Sequence, residues 1–320
     1  MRILVNGSGG FLGSHFCVQG IEAGDEVLGT LFRHQGPAFG WKTTVLDITN
    51  REEARQCCKA FKPDAIIHCA RYGGGVGQCE KERLTAFRVN VMGTANLARC
   101  AEESEAFFLY ISTDWIFSGT KPLGEKYEED EEPCPLNYYG VTKWAGEVEV
   151  ARTRGPWLIV RPANIYGVHA SFLLSSNQPM EGTLARSSWL HKMIAKLRQR
   201  EKIALPDTVV QSPVLADHLA EVSLKLLKQG KTGIYHVAGR EGVSRFEFLR
   251  KATEVLGLDP NSVLKGTLQD LEKSWGIPEE LSGIVPLNAA LNVEKVEQTL
   301  GIPMLTLSEG ISKIKDILLK

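Results

Sequence analysis

The chain has 320 residues, 43% of them apolar and 23% charged. That is the balance of an ordinary globular protein, with room for one extended α/β domain or a nucleotide domain and a smaller lobe. A net charge of −1 argues against a nucleic-acid or anionic-membrane partner, and no apolar run approaches the length of a bilayer span. Seven cysteines, an odd set without a C-x-x-C pair, favour reduced thiols and a cytoplasmic protein, and the histidines lack the spacing of a metal site.

Ile3, Leu4 and Val5 read as a buried parallel strand that stops at Gly7, and a helical pattern then runs from Phe11 to Ala23. Glycines at 7, 10 and 13, with Gly9, Phe11 and Leu12 between them, give G-x-x-G-x-x-G. The first permits a tight turn, the next lets backbone approach a pyrophosphate, and the third lets helix and strand pack closely. The helix N-terminus offers unpaired N–H groups and a partial positive charge to the anion. A plain strand–helix turn would also use glycine, but the strand before and the helix after favour dinucleotide binding.

Glu26 to Leu31 is the second strand. In a dinucleotide fold a carboxylate near its end would hold the adenosine ribose of NAD, and here that place is Leu31, with Arg33 just beyond. A guanidinium without a carboxylate suits a 2′-phosphate, so NADP(H) is favoured and NAD(H) allowed; the alternative is that Arg33 is a solvated loop residue. Thr44 to Asp47 reads as a third strand, Arg51 to Phe61 as a helix and Asp64 to Ala70 as a fourth strand. Arg71 to Gly77 is expected to be a flexible loop beside the site, followed by one helix from Glu80 through Glu102. Phe107 to Thr113 is the fifth strand, and the acidic stretch Glu125 to Pro135 a solvated loop. A helix from Asn137 to about Arg154 and a strand Trp157 to Arg161 follow. Strands alternating with helices predict an α/β fold with a doubly wound parallel sheet, the Rossmann fold.

Past Gly167 the alternation breaks. His169 to Ser188 is expected to be a mobile loop over the site, followed by a basic helix Trp189 to Arg200 and a strand Ile203 to Leu205. Gln211 to Asp217 leads into a helix, Gly233 to Ala238 is a late strand, and helices near 244–256, 267–273 and 307–319 complete a smaller, mainly helical lobe. The division expected is a dinucleotide domain over 1–166, to which 210–239 return, and a substrate-binding lobe over 167–209 and 240–320.

Tyr139 and Lys143 stand at i and i+4, on one face of a helix. An ammonium near a phenol favours the phenolate and moves its pKa down from about 10. Thr113 ends a parallel strand, at the edge where open α/β sheets bind ligands. Alone, Y-x-x-x-K reads as an exposed helix pair; joined to the glycine motif and the strand-end threonine, it reads as catalysis. His68, on an apolar strand, reads as a core or cofactor-side histidine rather than an acid/base group.

This combination resembles the extended short-chain dehydrogenase/reductase superfamily. Ser112-Thr113-Asp114-Trp115-Ile116-Phe117-Ser118-Gly119 resembles the S-T-D-[YW]-V-F-x-G of dTDP-4-dehydrorhamnose reductases. Tyr139 to Glu147 resembles their Y-G-x-T-K-x-x-G-E, and Ser212 to Asp217 their S-P-T-x-A-D. The resemblance implies hydride transfer between NADP(H) or NAD(H) and a 4-keto-6-deoxy sugar nucleotide, in a carbohydrate-biosynthetic oxidoreductase that could act as a homodimer. It makes Tyr139 the proton donor, Lys143 the ribose-binding residue and Thr113 the residue that orients the carbonyl. It also places Asp47 and Ile48 beside the adenine, and Ala70, Arg71 and Ser112 along the cofactor path. Asn90 would support the lysine region. One segment departs: Arg161-Pro162-Ala163-Asn164-Ile165-Tyr166-Gly167 has asparagine where the reductases often carry tryptophan, a form similar to sugar-nucleotide epimerases and dehydratases. An epimerase or dehydratase therefore stays open, as does a non-catalytic subunit like methionine adenosyltransferase β.

Overall fold

A computed structural model describes residues 1–32, 40–170, 188–275 and 277–319. Arg33 and most of the loop expected over 169–188 lie outside the described residues. The chain opens β1 (Arg2–Asn6), α1 (Phe11–Glu22), β2 (Glu26–Leu31), β3 (Lys42–Val45), α2 (Arg51–Phe61), β4 (Ala65–His68). Next come α3 (Gly75–Lys81), α4 (Arg83–Phe87), α5 (Gly93–Glu103), β5 (Phe107–Ile111), α6 (Tyr138–Ala151), β6 (Trp157–Arg161) and β7 (Ala163–Tyr166). The strand Gly233–His236, then β6, β5, β4, β1, β2 and β3, form one seven-stranded parallel sheet. This is the expected doubly wound Rossmann fold.

The central strands are apolar in their middles because both faces of the sheet are covered, and their polar residues fall at the ends. Strand alternation sends Ile3, Val5, Ile67, Leu109 and Val160 to the face packed by α1 and the helix Ala216–Lys228. Leu4, Ile66, Phe108, Tyr110 and Ile159 go to the face covered by α2, α5 and α6. Burying each such side chain contributes about 1.5–3 kcal/mol. A third apolar cluster, with Leu190, Ile194, Phe248, Leu249, Ile311 and Ile314, joins the helices Trp189–Arg198, Arg245–Leu256 and Leu307–Leu318. The last two helices start at capping boxes, Ser244 with Glu247 and Thr306 with Glu309. No described helix is long and apolar enough to cross a membrane.

Four expectations need correction. The third strand is Lys42–Val45, two residues earlier than the apolar run suggested, because it is the polar edge strand; Leu46, just past it, is the buried residue. Gly75 opens a helix rather than continuing a loop. The single helix over 80–102 is interrupted at Glu82, whose carboxylate accepts from Tyr72 and Gln78, and again by a π-helical segment, Arg88–Met92. Such bulges occur often at functional sites; this one carries the buried Asn90, which accepts from Tyr72 N at 2.7 Å and donates to Thr142 Oγ1 at 2.9 Å. Nor is the acidic stretch uniformly solvated: Glu129 accepts from the backbone N–H of His236 at 3.0 Å, and Glu131 pairs with Lys121 at 2.6 Å.

Candidate active site

A cleft of about 760 Å³ lies along the carboxyl ends of β1, β4 and β5. At one end the turn after β1 requires glycine twice. Gly7 has φ +82°, and a Cβ there would meet Ala70 N at 2.9 Å. A Cβ on Gly13 would lie 2.2 Å from the Gly7 carbonyl oxygen, so any side chain would push α1 off β1. The N-cap of α1, Gly10, makes no side-chain cap, and the first turn holds no acidic residue. The first-turn N–H groups, without a side-chain cap, and the helix dipole suit an anion, and Gly7, Gly9, Gly10, Phe11, Leu12 and Gly13 line the cleft there. A backbone cradle that a single Cβ would fill is what a dinucleotide pyrophosphate needs.

Leu31 and Phe32 form the next stretch of wall, followed by Ala70 and Arg71 after β4 and Ser112 after β5. Ser112 keeps a buried hydroxyl without a protein partner. Asp47, Ile48 and Asn90 do not line the cleft. The Asp47 carboxylate accepts from Thr49, Ile48 packs against Gly93, and Asn90 stands behind the wall on the π-helical segment. His68 is buried and bonded to Asn6 and Thr94, and burial pushes it down to about 3, as suits a core histidine.

Thr113, Tyr139 and Lys143 share the cleft's middle. Asn137 caps α6 by accepting from Gly140 N at 2.9 Å, which starts the helix one residue before Tyr139. Desolvation raises the Tyr139 phenol, and Arg71, whose guanidinium carbon is 5.9 Å from the ring centroid, opposes the rise together with a hydrogen bond to Thr113. The expectation that Lys143 holds the phenol down is thus corrected: the tyrosine is raised, and the cation acting on it is Arg71. Lys143 is turned into the fold instead. Its ammonium donates to the Ile111 carbonyl at 2.7 Å and lies 4.0 Å from the Tyr110 ring centroid, and burial lowers it to about 7.

Beyond this trio the wall carries two charged residues, Asp114 and Arg245, to which the sequence alone gave no role. Asp114, buried, accepts from Thr113 Oγ1 at 3.1 Å and from Gln211 Nε2 at 2.5 Å. Arg245, at the start of its helix, donates to Gln211 Oε1 and to Asn164 Oδ1, both at 2.8 Å, and packs between the rings of Trp189 and Trp275. Asn164, at the departing segment, has φ +39°. Burial raises Asp114 to about 7, although Gln211, Thr113 and Arg245 all favour its charged form. Asp114 was within reach of sequence reading, since it follows Thr113; Arg245 stands 131 positions after Asp114 in the chain (245 − 114), with no local pattern to mark it.

The family profile described as RmlD substrate binding domain matches residues 1–319. Among similar proteins is the probable low-salt glycan biosynthesis reductase Agl14 of Haloferax volcanii, 28% identical over 317 residues and covering 98% of this chain and 97% of that protein. Methionine adenosyltransferase 2 subunit beta of Xenopus laevis is also 28% identical, over 82% of this chain and 74% of its own length. The dTDP-4-dehydrorhamnose reductase of Bacillus anthracis str. Ames, solved in complex with NADP, superposes with a TM-score of 0.75 at 26% identity, covering 98% of each chain.

Proposed function

The chain belongs to the RmlD substrate binding domain family, and on that premise we propose that it is an NAD(P)H-dependent reductase of a 4-keto-6-deoxy sugar nucleotide. The observation that carries this reading is that Thr113, Tyr139 and Lys143 share one cleft with the uncapped N-terminus of α1. The glycine turn, Ala70, Arg71 and Ser112 would hold the dinucleotide, with NADP(H) favoured and NAD(H) usable. When bound, the reduced cofactor supplies the hydride.

The chain's own residues do the rest. Tyr139 keeps its proton at neutral pH, as a phenol with an ordinary value of about 10 does, and burial raises it while Arg71 and Thr113 oppose the rise. It can therefore act as the acid that protonates the ketone oxygen as negative charge develops there. Thr113 sits beside it to orient that oxygen, and Lys143, anchored on the Ile111 carbonyl, offers its remaining N–H donors to the ribose. The sugar would lie toward Asp114, Asn164 and Gln211, and residues 167–209 and 240–320 are proposed as the substrate-binding lobe.

The test is NADPH oxidation by the purified chain against a panel of 4-keto sugar nucleotides. Turnover with one of them is expected. Cofactor binding without oxidation by any of them would instead align the chain with its methionine adenosyltransferase β relatives as a non-catalytic subunit.

A further inference from the structure

We propose that Asp114 is a positioning residue for this reduction: its carboxyl, tied to Arg245 through Gln211, decides whether the Thr113 hydroxyl donates to Asp114 or to the substrate ketone. The inference rests on the reading of the cleft as a ketone reductase.

A threonine hydroxyl has one proton to give and two lone pairs. The Thr113 oxygen accepts from Trp115 N at 3.3 Å, and its proton is directed to Asp114 Oδ1 at 3.1 Å. In that arrangement Thr113 has no donor left for a carbonyl, and Tyr139 alone can bind the developing oxyanion. If Asp114 is protonated on Oδ1, its own O–H donates to the second lone pair of Thr113. The Thr113 proton then turns to the cleft side, where Thr113 is hydrogen-bonded to the Tyr139 phenol; a ketone oxygen bound between them would take a proton from each. The proton on Asp114 comes from solvent and is not consumed.

The surroundings hold the carboxyl between the two states. Asp114 is 1% exposed, which favours the neutral acid, while the Gln211 amide carries the polarisation of the Arg245 guanidinium to Oδ2. Among the described residues, Arg245 and Tyr139 are the charged or titratable groups from other elements that interact with Asp114, and Arg71 acts in turn on Tyr139. The balance puts the carboxyl at about 7, where a small change of pH alters the donor count.

The experiment compares pH profiles of kcat/KM for the parent, Asp114→Asn and Arg245→Gln, with NADPH affinity measured in each to confirm an intact fold. In the parent, kcat/KM should fall by a factor of about 10² as pH rises through 7, the order of one lost oxyanion donor. Lys143 also titrates near there, so the variants decide. Asparagine donates to Thr113 at every pH, so the profile of Asp114→Asn should lose that fall whatever its plateau rate. Arg245→Gln removes the cation that favours the carboxylate and should move the fall to higher pH. Infrared difference spectra of parent minus Asp114→Asn, taken without substrate, should show a carboxyl titrating near 7. A carboxyl ionised throughout, or an inflection unchanged in Asp114→Asn, overturns the proposal. Absence of turnover in the parent overturns the reductase reading instead.

Discussion

At the scale of single residues, the site divides its labour differently from the simple pairing of Tyr139 with Lys143. Both side chains line the cleft, but Lys143 is committed to a backbone carbonyl and Arg71 is the cation acting on the phenol. Tyr139→Phe removes the proposed acid while leaving the glycine turn untouched. It should lower kcat by about 10²–10⁴-fold with NADPH affinity nearly unchanged. Stopped-flow rates with fluorescence titration of NADPH check both halves, and unaltered turnover would remove Tyr139 from the chemistry. The cofactor's 2′-phosphate makes a second prediction, which rests on the position of Arg33 in the sequence. Charge-assisted bonds from a guanidinium contribute about 1.5–3 kcal/mol, or one to two decades in Kd. Arg33→Ala should weaken NADPH by that factor and leave NADH little changed, and equal effects on the two would make Arg33 a solvated loop residue.

At the scale of elements, the proposed cofactor cradle depends on how closely α1 sits on β1. A Cβ at Gly13 would overlap backbone of Gly7, which cannot give way as a side-chain tip could. Gly13→Ala should therefore cost about 1–3 kcal/mol as overpacking and weaken NADPH with it, because the displaced helix no longer aims its N–H groups at the phosphates. Gly155→Ala is the control. Its Cβ would find its nearest neighbour at 3.8 Å, and its stability should stay within about 0.5 kcal/mol of the parent. Urea unfolding of both variants, with NADPH titration, checks the contrast. Equal, small effects would mean that the helix can shift without cost.

For the whole molecule, buried ionisable groups couple stability to pH. His236 gives Nδ1–H to the Asn292 carbonyl at 3.1 Å; burial, then Arg161, lowers it to about 3. A histidine lowered in the fold binds fewer protons there than in the unfolded chain. Its contribution is full above the ordinary value near 6.5 and is lost as pH falls from 6.5 toward 3. Each such histidine costs about 1.4 kcal/mol per pH unit in that window. Asp114, raised to about 7, acts with the opposite sign, its contribution fading as pH rises from about 4 to 7. The difference between parent and His236→Asn cancels such shared terms. Between pH 6.5 and 5 the parent's stability should fall more steeply than the variant's, by about 2 kcal/mol over that range. Parallel denaturation curves at both pH values would show that His236 is not kept neutral by the fold.

The sheet was legible in the sequence because its central strands are short, predominantly apolar and separated by helical periods, a pattern that burial on both faces imposes. The glycine turn and the Thr113, Tyr139 and Lys143 positions were legible for a related reason: each is fixed by a local rule, a turn, a strand end or a helix face. Edge strand β3 was misplaced because an edge need not be apolar, and the break at Arg88–Met92 was missed because a π-bulge has no composition of its own. What sequence alone could not decide was how the charges meet. Arg71 reaches Tyr139, Lys143 turns to Ile111, and Arg245 reaches Asp114 through Gln211 only after separate stretches of chain are folded against one cleft. Desolvation and hydrogen-bond geometry, which set the protonation of these groups, are properties of that packing.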